Sequence, residues 1–343
     1  YDYVNLDDCW MNGVTPRDTT RKGQSRDAAG NILPNKYFPD MKGLTDYIHS
    51  KGLKAGIYTS PGPLTCAGHT GSLGHAAQDA KQFADWGFDF LKYDWCSYEG
   101  IYTQGPQTME MIKKPYSEMG AILKEQKRDI VYNLCYAKNE VWTWGEEVGG
   151  HSWRTAFDLG GELYRLFEVA LNDAEYRQWS KPGSWNDADY LQIGHVNAKS
   201  PRPSHLTPNE QYSFMSMWAL IASPLIYSGD LSRIDEFTLN ILCNPEVIDV
   251  NQDPLGKSAD VIKRSEDNFV MVKELEDGSR AIGFVNSGEG PSEISISWKE
   301  AGLQRNQVVR DLWRHKDLGT FKKEFKVTVP RRSVFLIKAN KVK

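Results

Sequence analysis

Residues 89–98 read DFLKYDWCSY, and the fold turns on how they are taken. Phe88, Phe90 and Leu91 are apolar, as a buried strand requires. Lys92 and Asp94 then follow, with Cys96 just beyond. Burying a charge is costly unless it is paired. Two readings fit these residues alone: a local Lys92–Asp94 ion pair at a strand terminus, or a carboxylate held there for chemistry.

The same arrangement recurs along the chain: a short apolar run, a polar or acidic end, a loop, then an amphipathic helix. The runs are YVNL (ending at Asp7 and Asp8), LKAGIY (ending at Tyr58), FDFLKYD, DIVYNLCY, HSWRTAFD, GSWNDADYL and PLIYSG. Between them the pattern predicts helices over 41–51, 74–87, 109–126, 161–171 and 209–222. Gly52 and the glycine after Trp86 serve as stops, and Pro115 marks a turn or kink. Alternating strands and helices predict βαβ units and a parallel sheet. The run count is one short of a (β/α)8 TIM barrel, whose active sites lie at the C-terminal ends of the strands. A doubly wound sheet also places function there, but it needs a Gly-rich phosphate turn that the chain lacks.

After NQDPLG (251–256) the pattern changes. FVMVKEL, RAIGFVN, EISISW, VVRDLW, EFKVTV and SVFLIKA alternate with turn signals such as EDGS and NSGEG. These predict a C-terminal antiparallel β-sandwich. The expected division is a catalytic barrel at 1–257 and a β domain at 258–343.

The 343 residues are 40% hydrophobic and 25% charged, an ordinary globular composition. The net charge of −4 and the lack of a basic run argue against nucleic acid. No stretch approaches the ~18 apolar residues of a membrane span. Five cysteines lack zinc-site spacing but allow a disulfide, hence an oxidising compartment. The oligomeric state is left open, a homo-oligomer included.

The strand ends collect Asp7, Asp8, Tyr58, Lys92, Asp94, Arg154, Asp158, Asp187 and Asp189, and no histidine pair is spaced as in HExxH. Carboxylates without a metal or cofactor site suggest two acids dividing acid–base and nucleophilic work, the pattern of glycoside hydrolysis. Trp10, Tyr58, Tyr93, Trp95, Trp153 and Trp185 are candidates for stacking on a sugar.

The segments YVNLDDCW, LKAGIYTSPGPLTCAG, ADWGFDFLKYDWC, SWRTAFD, GSWNDADYLQIG and PLIYSGD…VIDVNQDPLG resemble glycoside hydrolase family 27, the clan D α-galactosidases and α-N-acetylgalactosaminidases. The resemblance runs through the whole chain. It implies a retaining enzyme releasing terminal α-linked galactose, with Asp94 as nucleophile and Asp158 as acid/base. Their carboxyl groups are then expected ~5–5.5 Å apart. It implies substrate contacts from Asp7 and Asp8, which read the sugar's 4- and 6-hydroxyls, and from Tyr58, Lys92, Arg154, Asp189, Cys66, Cys96 and Tyr136. Asp187 is read as structural. Cys66 and Cys96 match a family disulfide beside the nucleophile. Cys9 matches a cysteine whose family partner lies upstream, and Cys135 and Cys243 are read as unpaired small hydrophobes.

The family barrel begins with a strand that is absent here. The natural protein is therefore expected to carry roughly 40 or more residues before Tyr1, the scale of one βα unit with a lead-in. The strand at 3–6 is accordingly not expected to pair with the run at 224–228. Secretion or a periplasmic location is expected.

Two places depart from the family pattern. Tyr136 stands where Glu, Gln or Ser usually reads the sugar's 2-substituent, and DLGGELYRLFE follows Asp158 in place of Asp-Ile-x-Asp-x-Trp. These leave open galactose in an unusual linkage, a β-L-arabinopyranoside or an α-N-acetylgalactosaminide. A non-catalytic galactoside-binding protein would lack Asp94 or Asp158, and a metal-dependent barrel hydrolase would need histidine-rich strand ends.

Overall fold

The computed structural model describes residues 1–101, 107–160, 163–196, 202–304 and 306–341. The chain divides into two compact units, Tyr1–Arg154 and Thr155–Lys343. The division expected at 257/258 falls within the second.

The first unit alternates as its sequence pattern requires: β1 (Tyr3–Asn5), α1 (Met41–Ser50), β2 (Lys54–Thr59), α2 (Ala76–Trp86), β3 (Phe90–Asp94), α3 (Met109–Lys124), β4 (Val131–Cys135) and β5 (Ser152–Arg154). The strands pair in parallel in chain order. Asp40 caps α1 by accepting the Gly43 N–H. α2 ends where Gly87, at φ +100°, turns its N–H back to Phe83 and Ala84. That backbone conformation favours glycine. α3 runs unbroken through Pro115, contrary to the expected turn, and Pro115 itself is buried on its packed face. Trp10 and Tyr93, expected near a sugar, belong to the packing. Trp10 is fully buried, with Phe83 and Trp86 rings 5.8 Å away. Tyr93 packs against Tyr116 and Tyr132, because side chains alternate along β3 and its neighbours Lys92 and Asp94 take the other face.

In the second unit, α4 (Leu163–Glu175) is followed by β6 (Trp185–Asp187), the two-stranded β7 (His195–Val196) and β8 (Arg202–Pro203), and α5 (Pro208–Leu220). The seventh apolar run forms no strand. It makes one parallel bridge, Leu191 to Tyr227, preceded by Pro224, which has no N–H to give a ladder. Two short helices not foreseen from the sequence follow, α6 (Glu236–Leu242) and α7 (Pro245–Asn251).

Next come β9 (Asp260–Arg264), β10 (Asn268–Glu274), β11 (Arg280–Asn286), β12 (Ser292–Ser297), β13 (Gln307–Asp311), β14 (Lys316–Phe321), β15 (Glu324–Val329) and β16 (Ser333–Lys341). They form a six-stranded sheet in the order β14-β13-β16-β11-β10-β9 and a β12–β15 pair. The central strands β10, β11 and β16 of the large sheet are buried on both faces. Met271, Ala281, Val285 and Leu336 join the cluster around α5, whose Phe214, Met215, Met217 and Trp218 are fully buried. Val270, Ile282, Phe284 and Ile337 pack with Ile294, Ile296 and Phe325 of the small sheet. Such two-sided burial is why these strands read as near-continuous apolar runs. The fold is that of a TIM-type barrel followed by an antiparallel β-sandwich.

Candidate active site

Strand register assembles the first part of the site. Tyr58 of β2, Lys92 of β3 and Asn133 of β4 are aligned, and Asp94 is aligned with Cys135 one row further on. These residues lie at the C-terminal ends of parallel strands. Tyr58 Oη donates to Asp94 Oδ2 at 2.9 Å, and the Trp95 N–H donates to Asp94 Oδ1 at 2.8 Å. Burial pushes the Asp94 carboxyl up. The Lys92 charge and hydrogen bonds from Tyr58 and the Cys135 thiol pull it back, without cancelling the burial. Burial, with the Asp94 charge next, holds the Tyr58 phenol well above its ordinary value, so it stays a donor.

Asp89, the residue immediately before β3, is a useful contrast. Burial raises it too, but the Ala55 N–H, His49 and Arg128 hold it below the ordinary carboxylate value. Its guanidinium contact is 2.6 Å. That carboxylate is structural, and Asp94 is the one left basic.

Lys92 Nζ bridges to Asp7 Oδ2 at 2.8 Å, and its charge acts on Asp94 as well. Asp8 Oδ1 and Oδ2 accept the N–H groups of Cys9 and Ala67, at 2.6 and 2.9 Å. Cys66 and Cys96 form a disulfide with Cα atoms 4.9 Å apart. It lies against the site: Cys96 Sγ is 3.3 Å from Tyr58 Oη, and Cys66 Sγ is 3.7 Å from Asp94 Oδ2. Cys9 is a free thiol, pushed up to about 11 by burial and Asp8. Asp8, Cys9 and His69 bring donor atoms within 4.8 Å of one another, as do Cys66, Asp94 and Cys96. In the second group both sulfurs belong to the disulfide. In the first, backbone N–H groups already take both oxygens of Asp8.

Cys135 and Cys243 are free thiols, as expected. The Cys135 thiol also lies against Asp94, with Arg154 Nη1 3.8 Å from the sulfur. The signal in the sequence was its position: it ends the fourth run as Asp94 ends the third. Arg154 is 2% exposed. Tyr136 is buried in a ring cluster, 4.9 Å from Trp95 and 6.1 Å from Trp144.

The second unit holds Asp158, Asp187 and Asp189. Asp158 is exposed, and its main-chain oxygen accepts from Arg165 at 2.9 Å. Asp187 is buried, its Oδ1 accepting the Asp189 N–H at 3.0 Å. Asp189, at φ +86° and 2% exposed, accepts the Leu159 N–H at 2.7 Å. Trp218 Nε1 donates to the Asp189 main-chain oxygen, and Asn251 Nδ2 donates to the Trp218 oxygen. These two supports lie in helices far along the chain, and nothing in the sequence motif points to them. Of the segment after Asp158, Gly161 and Glu162 lie outside the described residues.

The chain was compared with known proteins. Residues 1–253 match the family described as α-galactosidase A, and residues 266–339 match the C-terminal β-sandwich domain of α-galactosidase. α-Galactosidase 2 of Arabidopsis thaliana is 36% identical over 96% of this chain and 77% of its own. The α-galactosidase of Cyamopsis tetragonoloba is 36% identical over 92% and 71%. The crystal structure of α-galactosidase I from Mortierella vinacea superposes with a TM-score of 0.87 at 29% identity, covering 99% of this chain and 87% of that one. The chain therefore belongs to the α-galactosidase family of glycoside hydrolases, family 27, and is a retaining hydrolase of that type.

Proposed function

We propose that the protein releases terminal α-linked galactose from oligosaccharides or polysaccharide side chains, with Asp94 as nucleophile and Asp158 as acid/base. In the first step Asp94 attacks the anomeric carbon while Asp158 protonates the leaving oxygen. In the second, Asp158 takes a proton from water, the water attacks, and Asp94 is released. Asp7 and Asp8 hold the sugar hydroxyls, with Lys92 fixing Asp7. Arg154, Tyr58 and Asp189 complete the contacts. The observation that carries this reading is Asp94 itself: a carboxylate at a strand end, held on both oxygens and kept basic by burial. The catalytic domain is taken as 1–257 and the β domain as 258–343. The Cys66–Cys96 disulfide supports folding in an oxidising compartment, outside the cell or in the periplasm.

Asp94→Asn should lower kcat by ~10³-fold or more, as loss of a covalent nucleophile does. Azide should restore turnover of an activated galactoside to Asp158→Ala. Near-normal activity in Asp94→Asn would rule out the assignment. Tyr136 favours a second reading on the sugar itself. Its ring is packed among Trp95, Tyr116 and Trp144, so it supplies no carboxylate at the 2-position. Nitrophenyl α-galactoside, α-N-acetylgalactosaminide and β-L-arabinopyranoside, compared by kcat/KM, separate these substrates.

A further inference from the structure

We propose that Asp173 and Gln192 are positioning residues for the acid/base, which together with Asp189 pin both ends of the span Thr155–Leu159 that carries Asp158. This rests on the acid/base reading above. At the first end, the Thr155 N–H donates to the Asp187 main-chain oxygen at 2.9 Å, and Thr155 Oγ1 donates to Asp173 Oδ1 at 2.7 Å. At the last, the Leu159 N–H donates to Asp189 Oδ2 at 2.7 Å, and Gln192 Nε2 donates to the Leu159 oxygen at 2.8 Å. Thr155 is half-buried and Leu159 buried, while Phe157 and Asp158 between them are exposed. The acid/base therefore stands on a short bridge with anchored feet.

The anchors are themselves fixed. Asp173 is 1% exposed on α4, and Asp189 sits in a left-handed backbone conformation held by Asp187 and Trp218. A non-glycine residue keeps such a conformation when its surroundings over-determine it. Burial, with the nearby Asp187 charge and against the Thr155 bond, pushes Asp173 up to about 7. A neutral amide is thus a fair substitute there, keeping the acceptor for Thr155.

A general acid has to reach the leaving oxygen within hydrogen-bond distance, and remote misplacement by 1 Å can cost about 10²-fold. Loosening either foot therefore impairs protonation of the leaving group more than attack by Asp94. The test compares kcat/KM for methyl α-galactoside, which needs the acid, with that for α-galactosyl fluoride, which hardly does. Asp173→Ala and Gln192→Met should each lose ~10–100-fold on the methyl glycoside while staying within about threefold on the fluoride. Asp173→Asn should stay near wild type on both.

A parallel fall on both substrates, or no change on either, overturns the proposal. Gln192 is only half-buried, so its variant keeps the test open if Asp173→Ala fails to fold. Asp158→Ala is the control. If it lowers both substrates equally, the acid/base reading has failed. If it is selective and the anchor variants are not, only the anchoring is wrong.

Discussion

At the scale of single residues, the site depends on how much charge burial tolerates. Asp94 is raised by desolvation and only partly restored by Lys92, Tyr58 and Cys135. Attack requires the ionised form. Activity should therefore fall as pH drops through a value above the ordinary carboxylate pKa, and this limb should appear in kcat/KM. Tyr58→Phe deletes a hydrogen bond that favours the charged form, so it should move the limb further up in pH. A pH–rate profile of the variant showing the limb unmoved or shifted down would contradict this account of the nucleophile.

At the scale of elements, close approach and cross-linking hold the strand ends. Gly56 on β2 faces β1, and a Cβ added there would lie 1.8 Å from Asn5 Oδ1. Gly56→Ala must push the exposed Asn5 amide aside and should destabilise by about 1 kcal/mol, the low end of the cost of overpacking, read from denaturant unfolding. The Cys66–Cys96 disulfide closes a loop with a sequence separation of 30, and its removal should cost about 2–4 kcal/mol. Cys96 also abuts Tyr58, so Cys66→Ser with Cys96→Ser should lower kcat/KM as well as the melting temperature. Activity unchanged in the folded double variant would show that the cross-link serves stability alone.

At the scale of the whole molecule, the β-sheet and α5 share one core, and a charge is buried in it. Lys273 of β10 is fully buried and donates to the Ala219 oxygen at 3.2 Å. Burial, against the Asp253 charge, lowers it to about 7 from 10.5. A lysine depressed in the folded state is protonated more readily unfolded between those two values. Stability from this group therefore rises with pH from about 7 to 10.5 and is lowest below 7. Lys273→Met should stabilise by about 1 kcal/mol or more at pH 6–7 and flatten that slope, measured by thermal melts across pH. The Ala219 oxygen keeps the Ala222 N–H as a donor, so no carbonyl is orphaned. A lower melting temperature at pH 6 would show that the amine is stabilising.

The strand–helix alternation, the polar strand ends and the change to antiparallel strands after residue 257 were legible because they are local. Periodicity and strand-end chemistry are written within a few neighbouring residues. So was the Cys66–Cys96 pair, through the family resemblance. What the residues meet was not local. Lys92 finds Asp7, 85 positions away, and Cys135 finds Asp94 only because two parallel strands share a register. Trp10 and Tyr93 looked like sugar platforms and became packing, since the face a ring takes depends on which helix covers it. The seventh run looked like a strand and made a single bridge at Tyr227. The direction of the Asp94 shift likewise belongs to tertiary structure: its local cation argues for lowering, while desolvation is summed over everything folded around it and prevails.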